Sequence, residues 1–170
     1  QHGANSSAFR VYLVAHSMGG LICRCLLQNL SRNDRRIDKV FTYATPHNGI
    51  EMAGLNVPAL LGLWDMNNFN RKVMAGYLGL PEGSERVDSL AGKFDPQRFF
   101  CFVGTNHRDY PVALGLSRAL AGEMSDGLVQ IANATVQGAP RAFAYRSHSG
   151  PYGVVNSEEG YQNLVRFLFG

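Results

Sequence analysis

Ser17 is the residue whose setting most plainly invites chemistry. It stands in Ala15-His16-Ser17-Met18-Gly19-Gly20, directly after the apolar run Val11-Tyr12-Leu13-Val14-Ala15 and before a segment with helical spacing. A serine on a sharp strand-to-helix turn holds its hydroxyl clear of the backbone, and the turn closes only when the residues two before and two after are small. Ala15 and Gly19 satisfy that condition. The start of the helix points free amide groups and a positive dipole end at the serine, so the Met18 N–H is expected to donate to an oxyanion formed there. The chemistry implied is nucleophilic attack on a carbonyl carbon. A serine at a helix start can also be a plain N-cap, but a cap has no need of small neighbours on both sides.

A serine hydroxyl becomes nucleophilic only when a histidine takes its proton, and that histidine needs a carboxylate to fix its tautomer and stabilise its cation. The chain offers five histidines, and Asp109 and Asp126 as acids that follow the third strand.

The elements that would position these groups are legible from pattern. Val11 to Ala15 reads as a strand buried on both faces of a parallel sheet. From Met18 to Leu30 a helix is expected to bury Leu21, Ile22, Cys25, Leu26 and Leu30. Lys39 to Ala44 and Arg98 to Val103 are further buried strands, and Arg141 to Arg146 a fourth candidate. A terminal helix opens at Asn156 as N-cap with Glu159 three residues on, and presents Tyr161, Leu164, Val165 and Leu168 on one face. Strands alternating with helices imply an α/β architecture with a mostly parallel sheet flanked by helices, whose sites lie at the carboxyl ends of the strands. Residues 50–97 are long and rich in Gly and Asn for a connection, with an apolar stripe Val57, Leu60, Leu61 and Trp64, and read as an inserted cap or lid. Residues 1–170 are expected to form one domain.

The motif Val14-Ala15-His16-Ser17-Met18-Gly19-Gly20-Leu21 resembles the nucleophile elbow of bacterial lipases and related esterases of the α/β-hydrolase fold. Ala44-Thr45-Pro46-His47-Asn48-Gly49 resembles the Thr-Pro-His-x-Gly segment after their next strand, and Ser125-Asp126-Gly127-Leu128-Val129 their Asn-Asp-Gly-Leu-Val segment around the acid. The resemblance implies the order serine, acid, histidine. His2 and His16 precede the serine, with the His16 side chain expected to point elsewhere, and His47 comes too early, which leaves His107 and His148. His148 lies in the loop before the terminal helix, where this fold presents its base. Asp126, with its lipase-like context, is preferred to Asp109. The expected catalytic set is therefore Ser17, Asp126 and His148. His47 is expected to brace the loop behind the site by hydrogen bonding. Leu60, Leu61, Trp64 and Phe69 would line or shield an apolar acyl pocket, or simply pack the cap on the domain.

The implied activity is carboxylic ester hydrolysis on small-molecule or lipid esters. An acyltransferase or thioesterase would use the same three residues, and a non-catalytic fragment is a further alternative. No cofactor is implied; calcium-dependent bacterial lipases place an aspartate after the histidine, whereas Ser149-Gly150-Pro151 follows here. The fold normally sets several strands before the elbow, so with the serine at position 17 the chain is expected to hold only the C-terminal part of the fold, with the missing N-terminal part as a partner.

Composition narrows the rest. With 45% hydrophobic and 17% charged residues and a formal charge of +3, the chain has material for a sizeable core and no nucleic-acid signature. The basic cluster Arg32, Arg35, Arg36 is most simply a solvated helix end, and no apolar run is long enough to span a membrane. Cys23, Cys25 and Cys101 suit small buried hydrophobes better than a metal site or a disulfide framework, which leans toward a reducing compartment.

Overall fold

The computed structural model describes residues 9–30, 36–52, 55–56, 66–109 and 124–170. Among them a four-stranded parallel sheet runs in the order β1-β2-β5-β6, with β1 Val11–His16, β2 Ile37–Tyr43, β5 Phe99–Gly104 and β6 Arg141–Ala144. Helix α1, Met18–Asn29, follows β1 after a single residue, and α3, Glu158–Phe169, closes the chain. A short antiparallel pair, β3 Glu51–Met52 and β4 Leu55–Asn56, and helix α2, Arg71–Tyr77, lie between β2 and β5. The α/β fold class expected from the alternation of elements is the one observed.

Period-two alternation splits the sheet into two packed faces. Val40, Phe99, Cys101 and Val103 point to one side and pack with Leu27 of α1, Val129, Val136 and Leu90. Phe41, Tyr43, Phe100 and Phe102 point to the other and meet Leu164 and Phe167 of α3 and Val154. Phe41, Phe99 and Phe102 are almost wholly buried, each contributing roughly 1.5–3 kcal/mol of transfer free energy. A third cluster joins Leu21 of α1 to Ile50, Phe69, Met74, Leu78 and Val87, so the described part of 50–97 packs on the α1 side of the sheet.

Four expectations need correction. Strand β1 is not buried on both faces: Tyr12 and Val14 are 40% and 49% exposed, because among the described residues β1 pairs with β2 alone and only Phe169 of α3 stacks edge-on against Tyr12. Helix α1 is turned relative to its apolar stripe, burying Gly20, Leu21, Arg24, Leu27 and Gln28 while Ile22 is 64% and Leu26 45% exposed. The N-cap of α3 is Ser157, not Asn156, since Ser157 Oγ accepts from Gly160 N at 3.0 Å while the Asn156 amide donates to Gly150 O; the buried residues of α3 are Gly160 and Leu168, and Tyr161 is exposed. Of the cysteines only Cys101 is fully buried; Cys23 and Cys25 are part-exposed, and all three are free.

The turn of α1 has a physical cause in Arg24, which is 0% exposed. Its Nη1 donates to His47 O, and its Nη2 to Val87 O and Ser89 O, each at 2.7 Å. Burial lowers its pKa to about 10, which leaves it charged at neutral pH. Gln28, one turn on, donates to Leu78 O at 2.8 Å. The apolar stripe is thus displaced by two long polar side chains that satisfy carbonyls of the segments after β2 and α2, groups that would be costly to bury unpaired. Replacing Arg24 with Met keeps the apolar stem and abandons three buried carbonyls. Arg24→Met is expected to cost about 3 kcal/mol or more, read as a fall of roughly 10 °C in the thermal midpoint; an unchanged midpoint would show that the clamp adds nothing.

Candidate active site

Ser17 sits between β1 and α1 with φ 54° and ψ −129°, a conformation that costs a non-glycine residue of order 1–3 kcal/mol. The turn is held from β2: Ser17 N donates to Tyr43 O at 2.9 Å, and Thr45 Oγ1 donates to Ser17 O at 2.8 Å. Gly20 is what lets Thr45 approach, because a Cβ there would fall 2.1 Å from Thr45 Oγ1. Gly19 needs its size for a milder reason. A Cβ on it would lie 3.4 Å from the Ala15 Cβ, so alanine at 15 fits opposite glycine at 19 with little space to spare. Met18 N–H lies in the first turn of α1, where a helix supplies no internal acceptor.

The structure brings Ser17, His148 and Asp126 into one hydrogen-bonded line. His148 Nδ1 donates to Asp126 Oδ2 at 2.9 Å, and His148 Nε2 lies 3.0 Å from Ser17 Oγ. With its proton on Nδ1, the neutral ring presents the Nε2 lone pair to the serine hydroxyl, which is the tautomer a general base requires. His148 is 3% and Asp126 1% exposed, whereas Ser17 is part-exposed.

Asp126 is fixed by its own loop. Its Oδ1 accepts from Leu128 N at 3.0 Å and Val129 N at 2.8 Å, a turn that Gly127 makes possible at φ 101°. Its backbone O accepts from His148 N at 2.9 Å, so the two residues are tied through main chain as well as side chain. A Cβ on Gly104, at the end of β5, would meet Arg146 O at 2.5 Å and Asp126 Cβ at 2.9 Å, so glycine there leaves room for the Asp126 loop. Asp109 faces elsewhere, accepting from Asn106 Nδ2 at 2.7 Å.

His47 is completely buried behind the elbow. Thr42 Oγ1 donates to Phe100 O at 3.1 Å, so it accepts from His47 Nε2, also at 3.1 Å. Burial first, and the Arg24 cation second, hold the His47 pKa well below 6.5 and keep the ring neutral. Its backbone O anchors Arg24, which suits a bracing role rather than chemistry. Phe69 is 8% exposed inside the third cluster; Leu60, Leu61 and Trp64 lie outside the described residues. His16 is the residue that reading the chain missed: its ring meets that of His148, and its Nε2 reaches His148 O at 2.8 Å. Strict alternation along β1 was the available signal, since it sets His16 on the face opposite Ala15, with Tyr43 of β2 as its register partner. Among the described residues no group of three or more His, Cys, Asp or Glu side chains could hold a metal ion, and no helix is long and apolar enough to cross a membrane.

Three comparisons with known proteins bear on the fold. Residues 2–58 match the family model of the PGAP1-like alpha/beta domain. Over 41 residues the chain is 51% identical to triacylglycerol lipase 2 of Saccharomyces cerevisiae, a stretch that is 24% of this chain and 13% of that protein. The crystal structure of a Bacillus licheniformis lipase in its mature form superposes with a TM-score of 0.57 at 19% identity, covering 94% of this chain and 64% of that one. Lipase 1 from Pelosinus fermentans aligns at a TM-score of 0.46 and 15% identity, over 94% of this chain and 71% of its own. The chain thus shares the fold of the Bacillus lipase over part of that protein's length, and over a short stretch its sequence is similar to that of the yeast lipase. It spans less than two thirds of the Bacillus structure and a small fraction of the yeast protein.

A neutral buried His47 has a consequence for stability. Below 6.5 the unfolded chain binds a proton at this residue that the folded chain refuses until a much lower pH. Stability is therefore fully present above about pH 6.5 and falls as the pH drops from there toward the folded pKa; His16, lowered chiefly by burial, acts in the same direction. Urea unfolding should show about 1 kcal/mol less stability per pH unit between roughly pH 6.5 and pH 5.5. His47→Gln should flatten that slope, and a slope unchanged in the variant would assign the effect to other groups.

Proposed function

We propose that this lipase-like chain hydrolyses carboxylic esters through an acyl-enzyme on Ser17, with His148 as general base and Asp126 as its orienting acid. The observation that carries the reading is the pair of contacts at His148, 3.0 Å to Ser17 Oγ and 2.9 Å to Asp126 Oδ2, at a serine held with φ 54°. The resemblance of the yeast protein, a triacylglycerol lipase by name, supports an ester as substrate.

The steps follow from these atoms. His148 Nε2 accepts the Ser17 proton as Oγ forms its bond to the ester carbonyl carbon, and the carbonyl π pair moves onto oxygen. That oxyanion meets the Met18 N–H and the positive end of α1. When the tetrahedral centre collapses, the C–O bond to the alcohol breaks, and His148 returns the proton to the departing oxygen. Water then repeats the sequence on the acyl-enzyme, releasing the acid and restoring the Ser17 hydroxyl. Throughout, Asp126 stays ionised against the imidazolium, its Oδ1 already satisfied by two backbone amides.

Hydrolysis of short p-nitrophenyl esters and labelling by a fluorophosphonate probe test the proposal together. Ser17→Ala is expected to abolish labelling and lower turnover by 10³-fold or more. Asp126→Asn, which leaves the backbone turn in place, should lower kcat by about 10²–10⁴-fold with little change in KM. Labelling that persists in Ser17→Ala would place the nucleophile elsewhere. Parallel assays with thioesters and with alcohol acceptors decide between hydrolase, thioesterase and acyltransferase.

A further inference from the structure

His16 precedes the serine in sequence, yet its side chain meets the base. Its Nε2 lies 2.8 Å from the backbone oxygen of His148, and a carbonyl can only accept, so Nε2 carries the proton and donates it. The two rings are in contact, with centroids 4.9 Å apart and planes inclined by 45°. Among the described residues His148 is consequently held at its Nδ1–H and backbone N–H by Asp126, at its Nε2 by Ser17, and at its backbone oxygen by His16. The Ser17 and His16 contacts come from the turn and the strand that carry the nucleophile. The His16 bond ties the main chain of the base to β1, independently of the bond that breaks and reforms during reaction.

We propose that His16 is a positioning residue, a neutral donor on the nucleophile strand that fixes the His148 loop within reach of Ser17 and keeps charge away from the imidazolium formed there. This rests on the reading of Ser17, His148 and Asp126 given above. The groups acting on His16 come from each neighbouring element. Burial disfavours its cation most; the bond to His148 O favours it; the His148 ring opposes it, and Asp126 favours it more weakly. Tyr43, its register partner on β2, has its pKa raised by burial and stays a neutral phenol. The net direction for His16 is down from 6.5, so the ring is uncharged at neutral pH and His148 takes the Ser17 proton beside a neutral neighbour.

Three substitutions separate the donor from the charge. His16→Gln keeps an N–H at a similar reach and cannot titrate; His16→Phe keeps a ring and loses the donor; His16→Arg keeps a donor and adds a permanent cation. Each is assayed by p-nitrophenyl butyrate hydrolysis across pH, and the His148 ring signals are titrated by NMR in the same full chains. Expected are a kcat within about threefold of the parent for His16→Gln and about tenfold lower for His16→Phe, with KM unchanged. His16→Arg, which sets a permanent cation beside the ring, should move the acid limb of the rate profile, and the His148 titration midpoint, to lower pH. Equal rates in the Gln and Phe variants, or an unmoved His148 midpoint in the Arg variant, overturn the inference. A parent chain that hydrolyses no ester defeats the functional reading instead, and the NMR titrations then still decide whether His16 and His148 are coupled.

Discussion

Everything near the candidate site depends on one turn, in which the chain leaves β1 and enters α1 with a single residue, Ser17, between them. So abrupt a reversal places Ser17 at positive φ, and the strain persists only because its surroundings over-determine it. Two of those restraints come from the β2 side. The amide of Ser17 is held by the last residue of β2, and its carbonyl by Thr45 just beyond. Gly20 gives Thr45 the space to reach that carbonyl, so a glycine on α1 and a threonine after β2 serve one hydrogen bond. The parallel pairing of β1 with β2, in register up to His16 opposite Tyr43, is therefore part of how the serine is presented.

The same dependence continues one layer deeper. The segment after β2 that supplies Thr45 is itself fastened by Arg24 through His47 O and by Asn48, whose Oδ1 accepts from Val87 N and whose Nδ2 donates to Asn133 Oδ1. Loops buried this thoroughly carry main-chain polar groups that water cannot reach, and they require partners with fixed geometry. A guanidinium meets three carbonyls at once from one helix position, a task no apolar residue can do. Such a network adds less net stability than its bond count suggests, since Arg24 must first be desolvated. Its contribution is to specify where the loops lie.

These couplings explain which parts of the molecule the sequence disclosed. The buried strands were legible because Val40 to Tyr43, with Thr42 as its polar exception, and Phe99 to Val103 carry apolar residues on both faces, and both faces are covered. The elbow was legible because small residues flank the serine, and the meeting of His148 with Ser17 and Asp126 because their order along the chain follows the order of the loops. The buried side of α1 was not, since hydrophobic periodicity cannot register that Arg24 and Gln28 have carbonyls waiting for them. Asn156 and Ser157 are both good caps by residue type, and only the local path of the chain chose Ser157. The exposure of Tyr12 and Val14 depends on what lies beside β1, which no local pattern encodes.

His16 shows why adjacency along a strand misleads. Neighbouring side chains on β1 point to opposite faces, and that seems to remove His16 from the site of Ser17. His148, however, arrives from another loop, and it meets β1 on the face that carries His16. Asp126 holds His148 by ring nitrogen and backbone amide alike, and His16 adds a bond to its carbonyl, so the ring and the main chain of His148 are each held in place. β1 therefore carries Ser17 on its terminal turn and, one residue earlier, a hydrogen-bond donor to the loop that brings His148 Nε2 within 3.0 Å of Ser17 Oγ.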